Sequence, residues 1–188
     1  MTRSRATWLV ALLVLGTSMT GCGRGGDHQM NINLVQAGKV VVEAEKADEM
    51  LAPMVLEDVS EASGGKCLVI VEGAGKPGGD RPDGTKYPDL WGRATYTIQV
   101  PADGEYVFWG RTWWLDSCGN SVDVAIDEAK PQVFGGDSTF KSWHWVKGPT
   151  FELKAGNHRL VVLNREDGVK LDQYLLTTDS AYRPVGTE

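Results

Sequence analysis

Gly104-Glu105-Tyr106-Val107-Phe108-Trp109-Gly110-Arg111-Thr112-Trp113-Trp114 is the stretch whose reading decides the fold. Side chains alternate along an extended strand, so Tyr106, Phe108 and Gly110 oppose Val107, Trp109 and Arg111. Apolar residues on both sides describe a strand covered at least in part on both faces. Pro101-Ala102-Asp103-Gly104 in front of it suits a tight turn.

Outward from this stretch the same pattern recurs. Short runs rich in Val, Ile, Tyr, Trp and Thr are broken by Gly, Pro, Asn and Asp, with no amphipathic helical stretch of useful length. Strands are expected at 40–45, 54–59, 66–71, 94–100, 104–114, 121–126, 150–153, 158–164 and 170–177. This spacing predicts an all-β fold, a sandwich or barrel. Glu72 to Asp89 departs from it as a long Gly/Pro loop of the sort that is functional or disordered.

The first residues are a separate matter. Arg3 and Arg5 precede an apolar run from Trp8 to Leu15, and small residues lead to Gly21-Cys22. Residues 1–21 read as an export signal. The apolar run is shorter than the ~20 residues that span a bilayer. The cysteine after small residues resembles a bacterial lipobox, which implies a lipid thioether on Cys22 and cleavage before it. The expected product is exported and held in the cell envelope by its lipid, on the periplasmic or cell-surface face. Residues 22–38 form a glycine-rich tether, and 39–184 form the domain.

Cleavage leaves 17 basic residues against 25 acidic, a formal charge of −8. Nucleic-acid binding depends on neutralising phosphates with Lys and Arg, so that partner class is excluded. Cys67 and Cys118 remain after Cys22. In an oxidising compartment such a pair is expected to be bridged, provided that their Cα atoms come close. The competing reading is two buried small hydrophobes.

Motifs for other chemistries fail on inspection. Gly73-Ala74-Gly75-Lys76 lacks the Ser or Thr of a phosphate loop, since Pro77 follows the lysine. Asp80-Arg81-Pro82-Asp83-Gly84 lacks the oxygen spacing of a calcium-binding EF-hand. His28, His144 and His158 are scattered, unlike zinc ligands. Asp116, Asp123, Asp127 and Glu166 show no spacing that marks a catalytic pair, so no enzyme is predicted.

Five segments carry a family resemblance: Val42-Glu43-Ala44-Glu45, Ala62-Ser63-Gly64-Gly65-Lys66, Val100 to Val107, Leu153 to Leu160, and Lys170-Leu171-Asp172-Gln173-Tyr174-Leu175-Leu176-Thr177. Their order and spacing resemble the jelly-roll carbohydrate-binding modules of families 6 and 35. The resemblance implies a β-sandwich of two antiparallel sheets, a structural calcium at one edge, and ligand sites in the end loops or on the concave face. Glu43 and Glu45, two apart on a strand, put two carboxylates on one face, an arrangement a cation relieves. In the resembling modules such a pair, a carbonyl after the Gly-Gly turn and an aspartate on the last strand hold the ion. Those positions map to Glu43, Glu45, the Lys66 carbonyl and Asp172.

Six tryptophans follow the leader: Trp91, Trp109, Trp113, Trp114, Trp143 and Trp145. Trp109, in mid-strand, reads as core. Trp113 and Trp114 are adjacent and face opposite ways, so one of them is exposed or covered by a loop. Trp143 and Trp145 share a face. Sugar rings stack their C–H faces on aromatic platforms and need a few converging polar groups. The candidates are Trp113, Trp114, Trp143 and Trp145, with Arg111, Asp116, Asn120 and Arg165. The expected partner is a glycan or glycoconjugate, with the membrane reached through the lipid alone. The alternative is an envelope structural or adaptor domain that binds a protein.

Overall fold

A computed structural model describes residues 35–36 and 38–188. The leader, Cys22 and most of the tether lie outside the described residues. The strands are β1 (Val35–Gln36), β2 (Lys39–Glu43), β3 (Glu49–Leu51), β4 (Met54–Asp58), β5 (Lys66–Ile70), β6 (Arg93–Val100), β7 (Gly104–Trp114), β8 (Ser121–Ile126), β9 (Gln132–Gly135), β10 (His144–Leu153), β11 (Gly156–Leu163) and β12 (Val169–Thr177). All nine expected strands are present, and β1, β3 and β9 are additional short edge pieces. Outside the 39–184 interval, β1 pairs with β2, and Glu188 is bonded to the Lys39 side chain.

Among the described residues every strand pairing is antiparallel, and the strands make two sheets. In the seven-stranded sheet, β12 lies between β7 on one edge and β2 and β5, placed end to end, on the other. β1 and β4 extend that second side, and β10 lies beyond β7. The five-stranded sheet runs β3-β6-β11-β8-β9.

The alternation in β7 sets which side is inside. Tyr106, Phe108 and Trp114 join Val40, Leu68, Leu171 and Tyr174 in the core against Tyr96, Ile98, Phe134 and Leu160 of the other sheet. The opposite side of β7 is buried as well. Val107 and Trp109 form a second cluster with Leu175, packed by Val41, Trp145 and Tyr182. Trp109 is therefore buried, but outside the inter-sheet core, beneath residues 178–188. Farther along the same outer face, Ala62, Cys67 and Val69 cluster under Val59 and Trp143.

The Gly/Pro stretch is an ordered hairpin. Asp80 bridges Lys86, Gly78 N–H donates to Tyr87 O, and Tyr87 N–H donates to Gly79 O. Tyr87 stacks on Trp91 at 4.7 Å. The hairpin is pinned to the corner before β12, where Asn164 Nδ2 donates to Gly75 O and Gly75 N–H donates to Asp167 Oδ2. At the opposite corner His158 bonds Asp127 Oδ2 at 2.7 Å, a structural role.

Gly110 and Gly148 leave room for the Phe134 ring. A Cβ on Gly110 would lie 2.6 Å from Phe134 Cζ, and one on Gly148 would lie 2.8 Å from the rings of both Phe108 and Phe134. Overfilling a packed core costs about 1–3 kcal/mol. Gly110→Ala is expected to lower the melting temperature by at least a few degrees; an unchanged melting curve would show that the ring moves aside freely.

Candidate functional site

The outer face of the seven-stranded sheet carries the chemistry. β7 presents Trp109, Arg111 and Trp113 there, and β12 presents Lys170, Gln173 and Leu175 alongside them, in the register Trp113↔Lys170, Arg111↔Gln173 and Trp109↔Leu175. A register shift between Leu171 and Gln173 places Asp172 beside Arg111 as well. Arg111 and Asp172 form a buried ion pair, and Arg111 Nη1 also donates to Glu61 O. Removing either partner of such a pair strands a buried charge. Arg111 is thus a framework residue whose guanidinium lies over the Trp143 ring, 5.0 Å from its centroid.

Beyond Arg111 the face opens into a groove of about 470 Å³ lined by Trp113 and Trp143 with Glu57, Asp58, Val59, Ser60, Glu61, Lys141, Ser142 and Lys170. Both indoles are half-buried. Lys170 Nζ lies 5.5 Å from the Trp113 ring centroid and bonds Glu57, while Lys66 bonds Asp58. Lys141 is held at φ 56, a left-handed conformation uncommon outside glycine, and its N–H donates to Trp114 O. Two indole surfaces ringed by hydroxyls, carboxylates and ammonium groups suit a ligand with apolar faces and polar edges.

The nominated residues divide among several places. Trp113 and Trp143 meet in the groove, with Arg111 behind them. Trp114 does not join them: it is fully buried and packs on Phe134 and edge-on to His144, because it shares the phase of Tyr106 and Phe108. Trp145 lies over the Trp109 cluster and donates from Nε1 to Gly186 O. Asp116 folds its own turn by accepting from Cys118 N–H and Gly119 N–H. Asn120 Nδ2 donates to Asp137 O, and Arg165 bonds Glu166 and Ser121. None of these three lines the groove. The nominated residues omit Lys170 and residues 57–61, the end of β4 and the loop after it. The available signal for Lys170 was its outward position on the last strand.

Of the four residues nominated for calcium, Glu43, Glu45 and Asp172 each lie against the Ser63–Gly65 turn. Glu43 ends β2, and Glu45 lies in a 3₁₀ turn (Ala44–Lys46), so the turn and not strand alternation brings their carboxylates together. Glu43 Oε1 accepts from Ser63 Oγ and Gln173 Nε2, and Asp172 Oδ1 accepts from Ser63 N–H. The Ser63–Gly65 turn leads into Lys66 and lies against Glu45: a Cβ on Gly64 would sit 3.1 Å from Glu45 Oε1. Glu43 Oε2 and Glu45 Oε2 are buried without a hydrogen-bond partner. Burial, reinforced by the Glu43 charge, raises the Glu45 carboxyl above its ordinary range. Among the described residues no three His, Cys, Asp or Glu side chains form a ready-made metal cage. The two orphaned oxygens are what fits a hard cation here, since such ions are held by oxygen.

The expected disulfide is absent: Cys67 and Cys118 are both free thiols. Ile70 and Trp114 both pair with Val169, and β5 and β7 run parallel on either side of β12. Cys67 lies three residues before Ile70, about 10 Å back along the strand, whereas Cys118 lies beyond Trp114. That separation exceeds the Cα reach of a disulfide. Cys67 is buried beneath Trp143, which pushes its thiol up to about 12, while Cys118 is exposed at a loop cavity of about 510 Å³ beside Asp167.

No protein-family model matches the sequence, and no curated protein matches it. Solved structures do match. A family 35 carbohydrate-binding module from Clostridium thermocellum superposes with a TM-score of 0.54 at 16% identity, covering 74% of this chain and 98% of the module. The fold is that of carbohydrate-binding modules. A second module of this fold, from Cellvibrio mixtus lichenase 5A and solved with cellotriose, gives 0.50 at 17% identity over 73% of this chain and 95% of that one. An exo-β-1,3-galactanase from Phanerochaete chrysosporium gives 0.53 at 15% identity over 74% of this chain, which spans only 29% of that enzyme.

The thiols supply a test of this arrangement. In folded protein beginning at Gly23, a thiol reagent is expected to modify Cys118 alone, and Cys67 only after denaturation. Two unreactive sulfurs that appear on reduction would restore the disulfide.

Proposed function

We propose that this domain binds glycan chains without transforming them, in the groove between Trp113 and Trp143. The observation that carries this reading is the pairing of two half-buried indoles in one groove with groups of both charges and two serines. Sugar C–H faces stack on the rings, and hydroxyls find acceptors in Glu57, Asp58 and Glu61 and donors in Lys141 and Lys170. The fold supports it, and one structure of that fold was solved with cellotriose. Of the four acidic groups considered for catalysis three are engaged, Asp116 in its turn, Asp127 with His158, and Glu166 with Arg165, Ser121 and Asn120 N–H, while the fourth, Asp123, lies outside the groove with its carboxyl raised above the ordinary range by burial. The leader and Cys22 support an exported, lipid-anchored location.

A glycan array followed by calorimetry tests the groove. Trp113→Ala and Trp143→Ala are each expected to weaken binding about tenfold or more, since ~1.4 kcal/mol corresponds to tenfold and losing one ring contact is of that order. Trp113→Ala is expected to leave the melting temperature nearly unchanged. Binding that survives in both variants would remove the groove from the mechanism. A folded protein that binds no glycan would favour the envelope protein-partner reading.

The same proposal includes a structural calcium held by Glu43 and Glu45, with the Lys66 carbonyl and Asp172. When bound, the ion neutralises the two orphaned oxygens and ties β2 to the Ser63–Gly65 turn. A site saturated one-hundredfold above its dissociation constant adds about 2.7 kcal/mol of stability. Melting is therefore expected several degrees higher in millimolar calcium than in chelator, with the difference lost in Glu45→Gln. Equal melting in both conditions would dismiss the ion.

A further inference from the structure

The groove at Trp113 is only half of the outer face. The other half, at Trp109 and Trp145, is roofed by residues 178–188. How that roof is attached is informative. Trp145 Nε1 donates to Gly186 O at 2.9 Å. Gln173 holds the Glu188 backbone from both sides, donating to its carbonyl at 3.0 Å and accepting from its N–H at 2.9 Å. Lys39 Nζ donates to Tyr182 Oη and to Glu188 Oε2, each at 2.8 Å, and Tyr182 Oη donates to Glu188 Oε1. Among the described residues, the backbone hydrogen bonds outside the strands include none between this segment and the sheet. It can therefore leave without opening a strand ladder, unlike any part of the sandwich proper.

The roof also leaves one group unsatisfied. Trp109 is 6% exposed, and its Nε1 is buried with no partner. Arg183 lies 5.6 Å from the Trp109 ring centroid, and Tyr182 packs against the cluster, but neither supplies an acceptor to that N–H. Beneath the roof are two indoles, an amide and an ammonium, and the open groove likewise pairs two indoles with ammonium groups. Trp109, Arg111 and Trp113 succeed one another at every second residue of β7, about 7 Å apart, so the two halves form one row.

We propose that residues 178–188 are a displaceable strap that occupies, within the same molecule, a second glycan-contacting platform built from Trp109, Trp145, Lys39 and Gln173. Its carbonyl and carboxylate oxygens sit where the hydroxyl oxygens of a sugar would accept from Trp145, Lys39 and Gln173, and a sugar hydroxyl would also satisfy Trp109 Nε1. This rests on the reading of the Trp113 groove only for the class of ligand.

The test uses the full chain. Tyr182→Ala with Glu188→Ala removes the strap's packing and its bonds to Lys39. Glu188→Gln, which keeps both backbone bonds to Gln173, is the milder release should the double variant fold poorly. Hydrogen exchange at 182–188 reports detachment, and the same glycan array and calorimetry report binding. The expected result is a second binding event in the released protein, raising stoichiometry from one to two, that disappears when Trp145→Ala is added. Detachment with unchanged stoichiometry and array pattern would overturn the proposal. Trp145-dependent binding that appears on release, with none dependent on Trp113, would uphold the strap and discard the groove. Absence of glycan binding in every variant would discard both.

Discussion

β12 is paired along both edges, to β7 on one side and to β2 and β5 on the other, and the rest of the molecule is organised by that constraint. A strand so enclosed cannot slip by one residue without turning its whole inner side outward. Leu171, Tyr174 and Leu176 are thereby fixed in the core, and Lys170, Gln173 and Leu175 on the outer face. The irregularity at Asp172 lets that carboxylate meet Arg111 and Ser63 N–H, joining the central strand to β7 and to the turn before β5. Gln173 then links Glu43 to the backbone of Glu188. The carboxylate cluster, the groove and the strap are neighbours because one strand supplies a residue to each.

The outer face shows why tryptophan is so abundant here. A sandwich needs one apolar side per sheet, yet Val107, Trp109 and Arg111 are as well covered as many core positions. Their cover comes from segments lying outside the strand ladders, the 59–65 loop and residues 178–188. Such cover adds apolar burial outside the inter-sheet core, so the outer face can be shaped while the core stays intact.

Much of the fold was legible in sequence because it rests on local signals. Alternation in 104–114 and the turn at Pro101 to Gly104 specify β7 to the residue. β10 was foreseen only from Thr150, since Gly148 and Pro149 read as a break; the strand runs through them, with the register shift falling between Lys147 and Thr150. β3 and β9, three and four residues long, are too short to show a period. The site was half legible. Trp113 and Trp143 were found by residue type, and Trp114 was separable from Trp113 by its phase with Phe108. Residues 57–61, the end of β4 and the loop after it, reach the groove from a segment remote in the chain, so spacing carries no trace of them, and for Lys170 the alternation of its strand shows an outward position but not its neighbour. Asp116, Asn120 and Arg165 have the right chemistry, but they are engaged elsewhere, Asp116 in its own turn, Asn120 with Asp137 and Arg165 with Ser121 and Glu166, which residue type does not reveal.

The slot for Phe134 has a bearing on how this protein can change over time. The ring comes from the edge of the five-stranded sheet, while Gly110 and Gly148, whose missing side chains admit it, belong to the seven-stranded sheet. Volume at these three positions is shared across the two layers. A larger residue at 110 or 148 becomes acceptable only once 134 has shrunk, and a smaller residue at 134 leaves a void until one of the glycines has grown. The intermediate sequences are all poorer than either end point, so the three sites are expected to vary together or not at all among descendants of this chain.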